Sequence, residues 1–337
     1  MTAADAEPGA RARPEIAIVV PVYNEAANIE PLLARLMPVL ERSCASFEVV
    51  FVDDGSSDAT LATLRRVNDA DARMRAVSFS RNFGKEIAIA AGLDHAEAQA
   101  FVIMDADLQH PPEVIEAFIA KWREGFKNVY GQRVDRETDS PVRRMFAKRF
   151  YELFAMFGET PLPSGAGDFR LLDRQAVEAL RGMGERARFS KGLYAWIGFS
   201  SIGVPFQVAE RAFGTTKFSY RKLTRFALDG IMSFSTVPLK VWSYIGTAVS
   251  IFSLVMALYF ILQTALYGID VPGFASLIVS VMFLGGIQLL SLGVLGEYIG
   301  RIFAEVKRRP LYLIGERIGL NGQTSDDPMP QRHRTRV

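Results

Sequence analysis

The chain is poor in cysteine and histidine. Of its 337 residues one is cysteine, Cys44, and three are histidine. A single thiol excludes any disulfide within the chain and fits a reducing compartment. Cys44 itself reads as a small, buried apolar residue. No histidine has the setting of an obvious general base: His95 lies in a helical stretch and reads as structural, and His110 reads as a helix-start residue. The glycine fingerprints of phosphate-binding loops are also missing. No strand-like run is followed by Gly-x-Gly-x-x-Gly, and there is no Gly-x-x-x-x-Gly-Lys-Ser/Thr, so nucleotide binding would have to rest on carboxylates and a metal. The formal net charge is only +2 and no recognition motif accompanies it, which argues against nucleic acid as a partner. Residues 1–13 carry no apolar h-region, so they are not read as a secretory signal. They and the polar, proline-containing stretch 321–337 read as disordered.

What the chain does have is concentrated near its C-terminal end. The runs Val241–Ile269 and Val271–Gly296 are uncharged and mostly apolar, separated only by Asp270. A membrane helix needs roughly 20 such residues, and each run is long enough, so the sequence predicts two spans joined as a hairpin. Lys217, Arg221, Lys222, Arg225 and Lys240 precede the first span, and Arg301, Lys307, Arg308 and Arg309 follow the second. The loop between has no basic residue. The positive-inside rule then puts both termini in the cytoplasm. The spans contain no charged residue before Glu297, which argues against an ion or sugar pathway. Gly285, Gly286, Gly293 and Gly296 would allow close helix contacts.

Ahead of the hairpin, apolar β-branched runs alternate with helical spacing. Ile16–Val20, Phe47–Val52, Met74–Ser80, Ala100–Met104 and Asn128–Gly131 read as strands. Helices are predicted near Ile29–Arg42 (capped by Asn24 or Asn28), Ala59–Asn68, Lys85–Ala98, and after Pro111-Pro-Glu. This order implies a mainly parallel sheet covered by helices on both faces. Ligands of such sheets bind beyond the carboxyl ends of the strands. Here three strand ends carry acidic residues: Glu25, Asp53 with Asp54, and Asp105 with Asp107.

Asp105-Ala106-Asp107 is the sharpest local feature. Two carboxylates spaced i, i+2 at a strand end can point the same way, and they repel unless a cation joins them. A hard divalent ion takes one or two carboxylates and completes its shell with phosphate oxygens; Gln109, at the next i+2 position, could add a carbonyl. An acidic turn before a helix is the plainer alternative, and the acidic end of a second strand favours the metal. Asp53-Asp54-Gly55-Ser56 is either a turn with a helix cap or a carboxylate that accepts hydrogen bonds from a base or ribose. Pro141–Glu159 places Phe146, Phe150, Phe154 and Phe157 at helical spacing among Arg143, Arg144, Lys148 and Arg149. It is either a membrane-interface helix or a core-facing helix with a basic outer face. Ser219–Val237 has a similar mixture.

Taken together, Pro21-Val-Tyr-Asn-Glu25, Val52-Asp-Asp-Gly-Ser56, Ser80-Arg-Asn-Phe-Gly-Lys-Glu86, Met104-Asp-Ala-Asp-Leu-Gln109, Gly131-Gln-Arg133, Gly167-Asp-Phe-Arg-Leu171 and Arg211-Ala-Phe-Gly-Thr-Thr-Lys217 resemble glycosyltransferase family 2. Within it they resemble the polyprenyl-phosphate glycosyltransferases, in particular the bacterial undecaprenyl-phosphate glucosyltransferase branch; dolichol-phosphate mannose synthase is a relative. The resemblance spans residues 14–315. It implies an α/β domain of GT-A type followed by a two-helix transmembrane hairpin. It implies that Pro21, Tyr23, Glu25, Val52 and Asp54 hold the nucleoside. Asp105, Ala106, Asp107 and Gln109 would hold the donor phosphates and Mg2+ or Mn2+, with Asp107 and Gln109 the most direct metal contacts. Arg133, Arg211 and Lys217 would face phosphates, and Asp168 would act near the sugar or acceptor.

The implied reaction is inverting transfer of a hexose, glucose from UDP-glucose first among donors, to undecaprenyl phosphate at the cytoplasmic membrane face, by a homo-tetramer. UDP-N-acetylglucosamine, a UDP-aminoarabinose derivative and GDP-mannose remain alternative donors, and a non-catalytic nucleotide-sugar-binding protein is the alternative from another class. A processive polysaccharide synthase fits less well, because there are two spans and no Gln-x-x-Arg-Trp run. The implied organisation is a disordered 1–13, a catalytic domain 14–218, a juxtamembrane amphipathic helix 219–237, two transmembrane helices within 238–300, a cytoplasmic juxtamembrane segment 301–320 and a disordered 321–337.

Overall fold

The computed structural model describes residues 13–133, 166–185, 190–207, 237–267 and 273–320. The stretch Pro141–Glu159, nearly all of Ser219–Val237, and Arg211 and Lys217 lie outside the described residues. So do 1–12 and 321–337.

Eight strands form one sheet: β1 (Ile16–Val22), β2 (Phe47–Asp53), β3 (Met74–Phe79), β4 (Ala100–Ile103), β5 (Asn128–Arg133), β6 (Ala166–Asp173), β7 (Ser201–Phe206) and β8 (Ile314–Ile318). Their spatial order is β7-β5-β6-β4-β1-β2-β3-β8. Four neighbouring pairs are parallel, β1 with β2 and β4, β2 with β3, and β5 with β7; the other three are antiparallel. The predicted mainly parallel α/β sheet is therefore present, with antiparallel additions at β6 and β8.

The central strands are apolar at nearly every position because both faces are covered. On one face Ile16, Ile18, Val20, Val49 and Phe51 pack against α1 (Ala26–Ser43), α2 (Thr60–Ala70) and α4 (Val114–Arg123). On the other, Ala17, Val19, Val50, Phe101 and Ile103 meet α3 (Lys85–His95), α5 (Arg174–Gly182) and α6 (Ser190–Trp196). Phe51, Phe101, Phe118 and Phe169 are fully buried, each worth roughly 1.5–3 kcal/mol by removal from water.

Three expectations are corrected. Neither Asn24 nor Asn28 caps α1: the N-cap is Glu25, without a side-chain cap bond. Asn24 instead takes a left-handed backbone (φ 56°) and its Oδ1 accepts from the Ser57 N–H at 2.8 Å. His110 is more than a helix-start residue, as described below. Residues 314–318, expected in a juxtamembrane segment, are an edge strand of the sheet. β8 pairs antiparallel with β3, the Ser80 N–H donates to Leu313 O at 2.9 Å, and Arg65 grips Glu316 through two bonds of 2.8 and 2.6 Å. Tyr312 is buried against Phe79, with ring centroids 5.0 Å apart.

Two long helices stand between β7 and β8 in the chain, α7 (Val237–Tyr267) and α8 (Phe274–Val306). They touch one another, and their apolar side chains are largely exposed, Leu254 to 72% and Met282 to 73%. Among the described residues, Ser280–Val306 meets the length and hydropathy of a membrane span, with mean hydropathy 1.5, whereas Val241–Met256 is a shorter apolar stretch.

Candidate active site

The acidic residues that follow β1, β2 and β4 lie at one edge of the sheet, and strand register brings two distant carboxylates together there. In the antiparallel β4/β6 pair Ile103 faces Arg170. Two residues further along each strand, beyond the last pair, stand Asp105 and Asp168. Lys85, at the first position of α3, joins them. Its ammonium lies 2.7 Å from Asp105 Oδ1, 2.8 Å from Asp105 Oδ2 and 3.0 Å from Asp168 Oδ2. Burial alone would raise the Asp168 pKa, but the charges of Lys85 and Lys191 outweigh it and hold the carboxyl well below the usual carboxylate range. Burial would likewise lower Lys85, and the two carboxylates reverse that, so its pKa is raised. Asp168 Oδ1 is buried and has no hydrogen-bond partner.

The Asp105–Gln109 loop is anchored from below. Leu108 takes a left-handed backbone (φ 60°), and the Gln109 N–H donates to Asp107 Oδ1 at 3.2 Å. Ala106 and Leu108 are buried in the core. The Asp105 N–H donates to His110 Nδ1 at 3.3 Å, and the His110 ring stacks on Phe169 with centroids 4.7 Å apart. Burial pushes the imidazole pKa down. A neutral ring whose Nδ1 accepts this bond carries its proton on Nε2, a tautomer assigned from the hydrogen bond.

A second loop meets the first. Asp53, at the end of β2, accepts from the Ser56 N–H (3.0 Å) and from Ser78 Oγ (2.7 Å). The Asp54 carboxylate accepts from the Phe83 N–H at 2.6 Å and the Gly84 N–H at 2.9 Å. Burial raises the Asp54 pKa against the pull of these two bonds. Asp54 thus fixes the loop that delivers Lys85.

Of the residues implied to bind the nucleoside, Pro21 is in β1, Tyr23 is exposed just beyond it, and Glu25 opens α1 with its N–H on Thr60 Oγ1 at 3.0 Å. Glu25 also accepts from Asn28 Nδ2. Val52 and Ala106 are buried in the core, at 0% and 3% exposure. Only their main chain could reach a ligand. Arg133 ends β5 at the same sheet edge, and its Nε is buried without a hydrogen-bond partner.

Sequence reasoning assigned nothing to Lys85, Glu86 or Arg170 and underrated His110. Glu86 is held by the Ser190 hydroxyl and by the Ser190 N–H at 3.2 Å; burial, followed by the charge of Asp168, raises its pKa. Arg170 lies over the Tyr194 ring, 3.7 Å from its centroid, and donates to Gly167 O at 2.5 Å. The available signal was Arg81-Asn-Phe-Gly-Lys-Glu86, a polar motif at the end of a third strand.

Asp105, Asp107 and Gln109 form an all-oxygen donor set, the chemistry that Mg2+ and Mn2+ take. Among the described residues no group of three or more His, Cys, Asp or Glu side chains is placed to hold a metal unaided.

The profile of glycosyl transferase family 2 matches residues 17–181, and that of the GtrB C-terminal hairpin matches residues 237–302. An uncharacterized glycosyltransferase of Synechocystis sp. is 49% identical over 306 residues, covering 91% of this chain and 96% of the relative. The bactoprenol glucosyl transferase of Shigella phage SfII is 44% identical over 300 residues, covering 89% and 97%. The prophage bactoprenol glucosyl transferase homolog of Escherichia coli K12 is 43% identical over 300 residues, covering 89% and 98%.

Proposed function

The chain belongs to glycosyl transferase family 2, with the GT-A-type α/β fold of a glycosyltransferase, and on that premise we propose that it transfers glucose from UDP-glucose to undecaprenyl phosphate at the cytoplasmic face of a membrane. The relatives named for bactoprenol glucosyl transfer support this acceptor and sugar, since they align with it over nearly their whole length. The observation that carries the site is the Asp105–Lys85–Asp168 cluster at the carboxyl edge of the sheet.

In this reading Tyr23 and the β1 and β2 ends receive the nucleoside. Asp105, Asp107 and Gln109 hold Mg2+ or Mn2+, which would stabilise negative charge developing on the departing diphosphate. Arg133, Arg211 and Lys217 supply fixed positive charge to phosphates. Asp168 Oδ1, buried and unpartnered, is a free acceptor for a hydroxyl of the sugar. The attacking group is the lipid phosphate oxygen. With a second pKa of about 6, by analogy with phosphorylated side chains, it is already mostly dianionic at neutral pH and needs no strong base. This accounts for a site in which His110 spends its Nδ1 on a backbone N–H. Attack opposite the diphosphate inverts the anomeric carbon.

The proposal places both long helices in the membrane. The chain passes from the catalytic sheet to α7 and returns from α8 into β8 of that same sheet. A sheet lies on one side of a bilayer, so the crossings are even in number. From Val306 only seven residues reach β8, whose Ile314 pairs with Phe79 at the catalytic edge. That is at most about 25 Å of extended chain, which keeps the edge near the membrane where a lipid phosphate sits. Gly285, Gly286, Gly293 and Gly296 have open space at their β-carbon positions. They suit close packing in a homo-tetramer. The test is transfer from labelled UDP-glucose to the lipid phosphate by membranes carrying the protein. Asp107→Ala should reduce the rate at least about hundredfold; an unchanged rate would remove the metal assignment.

A further inference from the structure

Lys85 has no part in the reaction as described, yet its ammonium touches both oxygens of Asp105, at 2.7 and 2.8 Å, and Asp168 Oδ2 at 3.0 Å. A metal that takes Asp105 as a ligand needs one of those oxygens. A monovalent and a divalent cation within a few ångströms of one carboxylate repel strongly. The two cations therefore compete for Asp105. The lysine can yield, because its side chain is 42% exposed while its backbone is fixed as the first residue of α3. Asp168 cannot follow it: that side chain is only 16% exposed, with Oδ1 buried and unpartnered. The loop before Lys85 is tied down by the Asp54 carboxylate, so only the flexible four-carbon stem moves.

We propose that Lys85 bridges Asp105 and Asp168 in the donor-free enzyme and keeps divalent metal off Asp105 until a nucleoside diphosphate arrives, when its ammonium moves onto the donor's phosphate oxygens. This rests on the metal–diphosphate reading of the site above. The anionic diphosphate does two things at once: it offers the ammonium an alternative partner and supplies oxygens to the metal. Metal and donor then bind as a pair, and each is weak alone. Energetically this is a coupling between two ligands, and it is reciprocal.

The full-length protein in detergent, titrated with Mn2+ alone and followed by the electron paramagnetic resonance signal of free Mn2+, tests this without turnover. Lys85→Gln should bind Mn2+ at least about tenfold more tightly than the unaltered protein when no nucleotide is present. Lys85→Arg, which keeps the cation, should bind it as weakly as the unaltered protein. Adding UDP should tighten Mn2+ binding to the unaltered protein by at least about tenfold, and by much less in Lys85→Gln. Equal Mn2+ affinity of the unaltered protein with and without UDP overturns the proposal, whatever the variants do. A Lys85→Gln protein no tighter than the unaltered one, with UDP-dependent Mn2+ binding intact, also overturns it and leaves the metal site standing. Absence of Mn2+ binding even with UDP overturns the proposal and the metal reading together.

Discussion

Gly55 and Arg81 meet backbone to backbone. A β-carbon on Gly55 would stand 2.5 Å from the Arg81 carbonyl carbon and 2.8 Å from its Cα, and Gly55 itself has φ +69°. The turn after β2 and the loop after β3 thus fit together only because position 55 carries no β-carbon. Gly55→Ala would meet both a left-handed backbone penalty and a clash with main chain. The expected loss of stability is about 2–4 kcal/mol, read as a lower thermal midpoint. Glycosyl transfer should fall at least about tenfold, because the Arg81–Gly84 loop sets Lys85.

Asp54→Ala should act on the same loop by a different route. It leaves the half-buried Phe83 and Gly84 N–H groups without their acceptor, at a cost of about 1 kcal/mol per bond. Amide hydrogen exchange at Phe83 and Gly84 should rise in the variant, while the central strands β1 and β4 keep their protection.

His110 separates packing from positioning. His110→Phe keeps a ring against Phe169 and removes the acceptor for the Asp105 N–H. Its thermal midpoint should stay close to that of the unaltered protein, and transfer should drop by about tenfold, the worth of one hydrogen bond that aims a loop. His110→Ala removes the ring as well and should lower stability by about 2–4 kcal/mol.

The central strands β1, β2 and β4 were readable because burial on both faces makes them nearly continuous apolar runs, as in Ile16-Ala-Ile-Val-Val20. The carboxylates at the ends of β2 and β4 were readable for the same reason, since polar residues that interrupt such runs mark strand ends. The later strands were not. β6 carries Asp168, Arg170 and Asp173 within eight residues, because one end of it lines the site and Arg170 is buried over the Tyr194 ring rather than exposed. β8 is five residues of edge strand with Glu316 and Arg317, and its partner Arg65 lies 251 residues away in sequence. No local pattern reports such a pairing. Lys85 escaped notice because its partners, Asp105 and Asp168, become neighbours only through the antiparallel β4/β6 register. The aspartate caps, turns and motifs are local, whereas the site is assembled across strands.

The return of the chain into β8 makes the post-helix segment part of the catalytic domain. Tyr312 is 3% exposed, stacks on Phe79, and its hydroxyl lies 3.3 Å from Asp94 Oδ2 and 3.4 Å from His95 Nε2. Tyr312→Ala should cost about 3–5 kcal/mol. It should expose the β3 edge, seen as faster amide exchange at Ser80, whose N–H bonds to Leu313 O.

His95 gives this region a pH response. Burial first, then the charges of Arg317 and Arg181, hold its pKa down to about 4 in the folded protein, against about 6.5 in an unfolded chain. Between those values the unfolded state binds more protons, so stability increases with pH and is lost as pH falls from 6.5 towards 4. The Tyr312 hydroxyl, in the lead-in to β8, faces the ring nitrogen and also donates to Asp94 on α3. Discounted for partial exposure, the effect is on the order of 1–2 kcal/mol. The thermal midpoint should therefore fall more steeply between pH 7 and pH 5 in the unaltered protein than in His95→Gln.

The central claim is transfer of a hexose to a lipid phosphate, and product analysis tests it most directly. Purified full-length protein is incubated with labelled UDP-glucose, Mn2+ or Mg2+ and undecaprenyl phosphate, and organic-phase label is counted and resolved as a lipid-linked sugar. The account predicts organic-phase label that requires both the lipid phosphate and the divalent ion and disappears with Asp107→Ala. UDP-glucose bound by the protein with no lipid-linked sugar formed, under conditions where the lipid phosphate is accessible, would contradict it.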